Sequence, residues 1–190
     1  MLKIRIEISA RHIHFTRHDL ETLFGDSYEL AKVKDLSQGG EFASTDTVIL
    51  VGSKGKLEGV RIIGPCRSHT QAEVSRTDTF ALGCKAPLRL SGKVIRSGAV
   101  KIIGPKGELD LEEGLIVPKR HIHLSSQEAA NYGLANGQNV KVAVEGPRAL
   151  VFDEVEVRVA ENYEEAIHLD TDEANAAGID GPTEGIIIVE

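Results

Sequence analysis

One short motif occurs twice in this chain and sets the strongest limit on how it can fold. Residues 11–16, Arg-His-Ile-His-Phe-Thr, return as residues 120–125, Arg-His-Ile-His-Leu-Ser. After each copy, an acid follows three residues beyond the hydroxyl residue and a glycine comes a little later, a pattern typical of a capped helix. We therefore predict equivalent short helices over residues 19–24 and 127–132. A repeat of this kind predicts two similar structural units.

The segments between and after the two motifs are rich in strand signals. Apolar runs at residues 47–51 and 60–63 have counterparts in the second half, and glycines or Gly-Pro pairs separate them. Many short strands with frequent turns favour β-barrels or sandwiches over a parallel sheet with alternating helices. We predict a mainly β protein with a first domain over residues 1–92 and a second over residues 93–190. The boundary is soft, since it is placed only by Ser-Gly pairs that loosen the chain.

Composition and charge exclude several broad classes of function. The chain has 190 residues, of which 41% are hydrophobic, enough for a packed core, and its formal net charge is −7. That charge argues against a general affinity for nucleic acid or an anionic membrane. No stretch has the apolar length of a membrane helix, and residues 2–8 alternate as a strand does, unlike a signal peptide. Two cysteines without a CxxC motif indicate a reduced, cytoplasmic setting.

The two His-x-His pairs are candidate metal ligands. Residues i and i+2 of a strand face the same side, about 7 Å apart, so two imidazoles can converge on one ion while the intervening isoleucine faces a core. Each pair is followed by a further candidate ten residues before a glycine, an acid in the first half and a histidine in the second. The predicted ligand sets are His12, His14 and Glu73, and His121, His123 and His168.

The number of ligands in each half favours a catalytic role. Three protein ligands with an open fourth position are typical of a catalytic zinc, whereas structural zinc sites have four. Two such sites facing each other across a pseudo-twofold axis would form a dinuclear centre. The alternative is that the repeat preserves a packing feature, with the histidines satisfying strand ends.

The loop of residues 64–71, Gly-Pro-Cys-Arg-Ser-His-Thr-Gln, is the other unusual segment. Arg67 is the candidate phosphate ligand, because a planar guanidinium can hold an oxyanion through two hydrogen bonds. The alternative is an ordinary loop arginine. Cys66 is interpreted as a packed bystander, since it has no repeat partner and no clear base. His69 is interpreted as a hydrogen-bonding loop residue. Arg11 and Arg120 are expected to face the same side as Ile13 and Ile122 or to lie at the strand mouths, and the alternative is that they are surface residues.

Several sequence strings together resemble one family. They are the two Arg-His-Ile-His motifs, Gly64–Ser68, Glu73–Asp78, Ala86–Gly92 and His168–Gly178. In combination, and over essentially the whole chain, they are similar to the propanediol-utilisation type of phosphotransacylase, also called phosphate propanoyltransferase.

The resemblance implies two repeated β-barrel domains with short capping helices and two zinc ions held by the six ligands named above. It implies an acyltransferase that converts acyl-CoA and phosphate reversibly into acyl phosphate and CoA, with propanoyl-CoA and also acetyl-CoA as candidate substrates. The family's phosphate-binding arginine corresponds to Arg67, while no residue is assigned to coenzyme A. A homodimer is a further expectation. Family members packaged in bacterial microcompartments carry an N-terminal extension, so a chain that starts at its first strand is expected in the cytoplasm.

Two other functions stay open on the sequence alone. A dinuclear zinc hydrolase would use metal-bound hydroxide on a thioester or phosphoester and would not need phosphate. A non-catalytic, zinc-dependent scaffold would bind metal without any chemistry on coenzyme A. The preferred acyl length is also open, because one methylene is worth only about 1–3 kcal/mol of discrimination.

Overall fold

The computed structural model describes residues 2–189, and these residues form short strands with four short helices. In chain order the elements are β1 (Leu2–Ser9), β2 (His12–His14), α1 (Arg17–Phe24), β3 (Lys32–Asp35), β4 (Phe42–Val51), β5 (Lys56–Gly64), β6 (Gln71–Glu73), α2 (Arg76–Leu82), β7 (Leu88–Arg89), β8 (Gly98–Ile103), β9 (Glu108–Pro118), β10 (His121–Leu124), α3 (Ser126–Tyr132), β11 (Asn139–Val144), β12 (Leu150–Val159), β13 (Ala166–Asp170), α4 (Thr171–Ala177) and β14 (Glu184–Ile188). No helix in this part of the chain has the length and apolar character needed to cross a membrane.

Residues 10–36 and 40–118 form the unit that we call the first barrel. Six of its strands close into a ring in the order β4-β5-β2-β6-β9-β8, and β8 pairs with β4 to complete it. Strand β2 runs parallel to β5 and antiparallel to β6. Alternate side chains face the interior, where Ile13 and Ile62 are fully buried. This packing requires the alternation of apolar and polar residues that the sequence shows.

Among the described residues, 2–9, 37–39 and 119–189 form the second barrel. Its six strands close in the order β1-β13-β10-β12-β11-β14. Strand β10 runs parallel to β12 and antiparallel to β13, as β2 does to its own two neighbours. The core contains the fully buried Ile122 and Ile167. The predicted fold class, mainly β with two repeated barrels and short capping helices, is confirmed.

The two barrels match strand by strand, but each is completed by a strand from the other repeat. In the first barrel β9 runs parallel to β6, and in the second barrel β1 runs parallel to β13 in the equivalent position. Each repeat therefore begins with a strand that closes the other barrel. The predicted division between residues 92 and 93 differs from these units, because β8 and β9 belong to the first barrel and β1 belongs to the second.

The four helices are positioned by side-chain caps at their N-termini. Helices α1 and α3 follow the two motifs as predicted, each starting one or two residues earlier than expected, and their caps are Thr16 and Ser125. Helices α2 and α4 begin with capping boxes at Ser75 and Asp170, directly after β6 and β13. Each of these caps follows a strand that carries candidate ligands, and it fixes the residue at which that strand ends.

Candidate functional site

Three predicted metal ligands converge in the first barrel. His12 and His14 lie on one face of β2, and Glu73 lies on β6 directly opposite His12. The ligand atoms of this set all lie within 4.8 Å of one another, and Nε2 of His12 is 3.6 Å from Oε2 of Glu73. Ile13 points to the opposite face and is fully buried in the core. The pleat of β2 therefore separates the ligands from the core side chain.

The second barrel repeats this arrangement with three histidines. His121 and His123 lie on β10, and His168 lies on β13 directly opposite His121. Their ligand atoms also lie within 4.8 Å of one another. The ring of Tyr163 stacks on His123 with 3.9 Å between centroids. The structure thus brings all six predicted ligands into two clusters of three, one in each barrel.

Hydrogen bonds to the backbone orient one imidazole in each cluster in the same way. Nδ1 of His12 donates to the carbonyl oxygen of Ala10, and Nδ1 of His121 donates to the carbonyl oxygen of Lys119, both at 2.9 Å. A proton on Nδ1 leaves the lone pair on Nε2, the atom that would bind a metal. Metal-binding histidines in proteins are typically held by such a bond.

Burial favours the neutral form of two further imidazoles, those of His14 and His123. Burial, with the charges of His12 and Arg67, lowers the pKa of His14 well below its ordinary value. Burial and the neighbouring histidines likewise lower the pKa of His123. Within residues 2–189, Nδ1 of His14 and both ring nitrogens of His123 are buried and have no hydrogen-bond partner. Buried imidazole nitrogens without hydrogen-bond partners are costly in a core but suit a metal ion.

The clusters fit zinc in number and kind of donor. His₂Glu and His₃ are both known sets for catalytic zinc. Tetrahedral zinc with bonds of about 2.0–2.1 Å needs donor atoms roughly 3.4 Å apart. In the first cluster, Nε2 of His12 and Oε2 of Glu73 are 3.6 Å apart, which is close to that spacing, and the ligand atoms within each cluster all lie within 4.8 Å of one another.

Arg67 lies beside the first-barrel cluster and is held on both sides. Its backbone N–H donates to the carbonyl of Phe15, one residue after the His-x-His pair. In the side chain, Nη1 donates to Oγ of Ser91 at 3.1 Å and Nη2 makes a short ion pair with Oε1 of Glu41. The guanidinium is thus fixed close to the candidate metal ligands of this barrel.

Gln71 connects the arginine to Glu73, a candidate metal ligand. Its side chain is fully buried, and Nε2 donates both to Oε1 of Glu73 at 2.6 Å and to Oγ of Ser91 at 2.9 Å. Its Oε1 accepts from the backbone N–H of Gly92 at 2.7 Å. A continuous chain of hydrogen bonds therefore runs from the guanidinium of Arg67 through Ser91 and Gln71 to the carboxylate of Glu73.

Comparisons with known proteins identify the family of the chain. A sequence profile described as phosphate propanoyltransferase matches residues 5–180. The chain belongs to the phosphate propanoyltransferase family. A protein of that name from Thermotoga maritima is 50% identical over 175 residues, covering 92% of this chain and 83% of the relative. Namesakes from Shewanella putrefaciens and Clostridioides difficile are 48% and 42% identical, covering 94% and 97% of this chain and 84% and 88% of their own lengths. Membership in the phosphate propanoyltransferase family places the chain among acyltransferases.

Two arginines of this phosphate propanoyltransferase family member have equivalent structural partners. Arg11 makes two contacts, at 2.8 and 3.1 Å, with the carboxylate of Asp78 in the capping box of α2. Arg120 donates at 2.8 Å to Glu173 in the capping box of α4. Both arginines therefore tie a strand that carries candidate ligands to the helix that follows the third candidate, and Arg11 is at the same time exposed at the surface.

The two remaining loop candidates stay outside the clusters. Cys66 is partly buried against the first-barrel core, and burial raises the pKa of its thiol. A raised pKa disfavours the thiolate, which is the nucleophilic form. His69 is exposed to solvent.

Sequence reasoning missed three polar residues of this site: Glu41, Gln71 and Ser91. One signal was readable, because Gln71 lies two residues before Glu73 and so shares its strand face. Ser91 and Glu41 lie 24 and 26 residues from Arg67 in the sequence, and no local pattern indicates that they meet it.

Proposed function

We propose that this chain converts a short-chain acyl-CoA and inorganic phosphate reversibly into acyl phosphate and CoA in a zinc-dependent reaction. Propanoyl-CoA and acetyl-CoA are the proposed substrates. The observation that carries the proposal is the hydrogen-bonded chain from Arg67 to Glu73, which joins a phosphate-binding side chain to a three-ligand metal cluster. The names of the relatives, which specify phosphate and a propanoyl group, support it.

Two zinc ions are part of the proposal, one in each barrel. His12, His14 and Glu73 would hold one ion, and His121, His123 and His168 would hold the other. A zinc ion with three protein ligands supplies Lewis acidity to a carbonyl or phosphate oxygen. Acid and imidazole donors without a cysteine also suit other divalent transition metals, and availability decides between them.

The side chains around Arg67 position the phosphate. The guanidinium presents fixed N–H donors to an oxyanion and offsets its charge, while Ser91 and Glu41 restrict the rotation of the arginine. Holding the phosphate oxygen near the thioester carbonyl carbon converts a bimolecular encounter into a reaction within one complex. Attack forms the C–O bond. The C–S bond then breaks, its electron pair leaves on the CoA sulfur, and the proton of hydrogen phosphate ends on the thiol.

The experiment measures free thiol release from propanoyl-, acetyl- and butanoyl-CoA, with and without inorganic phosphate, before and after chelation and zinc re-addition. We expect release that requires phosphate, stops on chelation and returns with zinc. Propanoyl- and acetyl-CoA should differ by no more than about 200-fold, because one methylene is worth about 1–3 kcal/mol. Thiol release without phosphate would identify a hydrolase instead, and no release with any of the three substrates would contradict an acyltransferase role.

A further inference from the structure

The carboxylate of Glu41 has one oxygen in use and one without a partner. Oε1 is paired with Nη2 of Arg67, and the two side chains are only 19% and 29% exposed, respectively. Oε2 is buried and, across residues 2–189, receives no hydrogen bond. A carboxylate can only accept hydrogen bonds, and leaving a buried acceptor unsatisfied is costly. The oxygen therefore favours a ligand that brings its own donor.

The other side of Arg67 offers a donor instead. Oγ of Ser91 accepts hydrogen bonds from Nη1 of Arg67 and from Nε2 of Gln71. A hydroxyl has two acceptor positions and one proton, so with both acceptor positions occupied Ser91 can only donate to a further group. Ser91 thus adds a donor beside the guanidinium.

Together these groups match one type of anion. Arg67 has five N–H donors, so it can keep its hydrogen bonds to Glu41 and Ser91 and still donate to a bound oxyanion. Hydrogen phosphate carries charged oxygens for the arginine and the hydroxyl, and a P–OH group for the carboxylate. Sulfate carries no proton near neutral pH, so the carboxylate would only repel it. Rejection of a wrong ligand by an unpaired charge is a common source of specificity.

We infer that Glu41 is a specificity residue that makes the anion site at Arg67 accept protonated tetrahedral oxyanions, such as hydrogen phosphate, and reject sulfate. The inference rests on the proposed function, because it assumes that phosphate binds at Arg67. It goes further in assigning to one carboxylate the choice between two anions of nearly equal size.

The test is the ratio of phosphate to sulfate affinity, measured by titration calorimetry on the intact protein, with sulfate inhibition of thiol release as a second readout. Wild type should bind phosphate at least about ten-fold more tightly than sulfate, since a hydrogen bond to a charged group is worth about that factor or more. Glu41→Gln should reduce this ratio by about ten-fold, whereas Glu41→Asp should retain part of it. Ser91→Ala should weaken both anions and keep the ratio.

The exposed Glu58, which pairs with Lys56, supplies the control. Glu58→Gln should match wild type in both readouts. A folded Glu41→Gln with an unchanged ratio would overturn the inference, as would wild type that binds sulfate as tightly as phosphate. If Glu41→Gln does not fold, a Glu41→Asp ratio equal to that of wild type decides against it. Selective phosphate binding without phosphate-dependent thiol release would reject the proposed function and leave the assignment of Glu41 standing.

Discussion

Glu73 and His168 occupy the same position in the two barrels. Glu73 pairs with His12 across β2 and β6, and His168 pairs with His121 across β10 and β13 in the same antiparallel register. The repeat thus preserves the place of the third ligand and changes its chemistry. The first cluster contains a carboxyl group and the second consists of imidazoles only, so the two sites would differ in net charge and in affinity once an ion is bound.

Removal of the third ligand should empty one cluster at a time. We expect wild type to contain about two zinc ions per chain, and Glu73→Ala and His168→Ala about one each, because loss of one of three protein ligands weakens zinc binding severely. Elemental analysis of protein purified without added chelator measures this.

His18 lies exposed on α1 outside both clusters, and His18→Ala serves as the matched control with an expected content of about two. Wild type without stoichiometric metal would contradict the assignment of both clusters. A Glu73→Ala variant that keeps its full metal content would remove Glu73 from the ligand set.

Arg67 should be needed for turnover but not for metal binding. Arg67→Ala is expected to lower kcat/KM for phosphate about 10²–10³-fold, the usual effect of removing one donor that stabilises developing charge. Arg67→Lys should recover only part of this loss, because an ammonium cannot form the planar two-point contact. The measurement is the phosphate dependence of thiol release, with zinc content determined in parallel. The exposed Arg148 provides a control, and normal turnover in Arg67→Ala would refute the assigned role.

The convergence of the two candidate ligand sets could be predicted from the sequence because it depends on local geometry and repetition. A strand places His12 and His14 on one face by its two-residue period. The repeat then pointed to Glu73 and His168 through their equal spacing from Gly83 and Gly178. The capped helices were predictable for the same reason, since their signals span only a few residues.

The rest depends on contacts between distant segments. The exchange of β1 and β9 between the barrels depends on which strands they pair with. The alternation of apolar residues predicts a strand but does not identify the strand with which it pairs. The position of Glu41 against Arg67 likewise depends on loop conformation. The repeat is clearest at the histidine motifs and weaker towards the strands at the ends of each unit. The boundaries of the two units could therefore not be located from the sequence.

Cys66 should be dispensable for the reaction. Its raised thiol pKa and partial burial against the core argue against a covalent acyl-cysteine. We expect Cys66→Ala to keep kcat and both KM values within about two-fold, since a small side chain at the edge of a core is replaced by one nearly as small. Mass spectrometry of protein quenched during turnover provides a second measurement, and an acyl adduct on Cys66 would contradict a direct transfer.

Arg120 should stabilise the second barrel in a manner that depends on pH. Burial raises the pKa of Glu173, and the hydrogen bond from Arg120 opposes that rise. Because the pKa of Glu173 in the folded chain lies above the ordinary value of 4.5, the folded chain binds the carboxyl proton more tightly than the unfolded chain does. The free energy of unfolding therefore falls as pH rises from 4.5 through the folded pKa. Arg120→Ala removes the opposing charge and raises the folded pKa further.

Arg120→Ala should therefore lower the free energy of unfolding by about 1–3 kcal/mol at pH 7. The loss should shrink as pH falls through the folded pKa values of Glu173 in the two proteins, which lie above 4.5, because Glu173 then becomes protonated in both folded states. Urea unfolding at several pH values measures the difference between the two proteins. In a Glu173→Gln background the same arginine substitution should have an effect independent of pH, because the amide does not titrate. Loss of the exposed Lys3–Glu184 pair through Lys3→Ala should change stability little. A stability loss from Arg120→Ala that is equal at all pH values would show that the arginine acts through packing and not through the charge of Glu173.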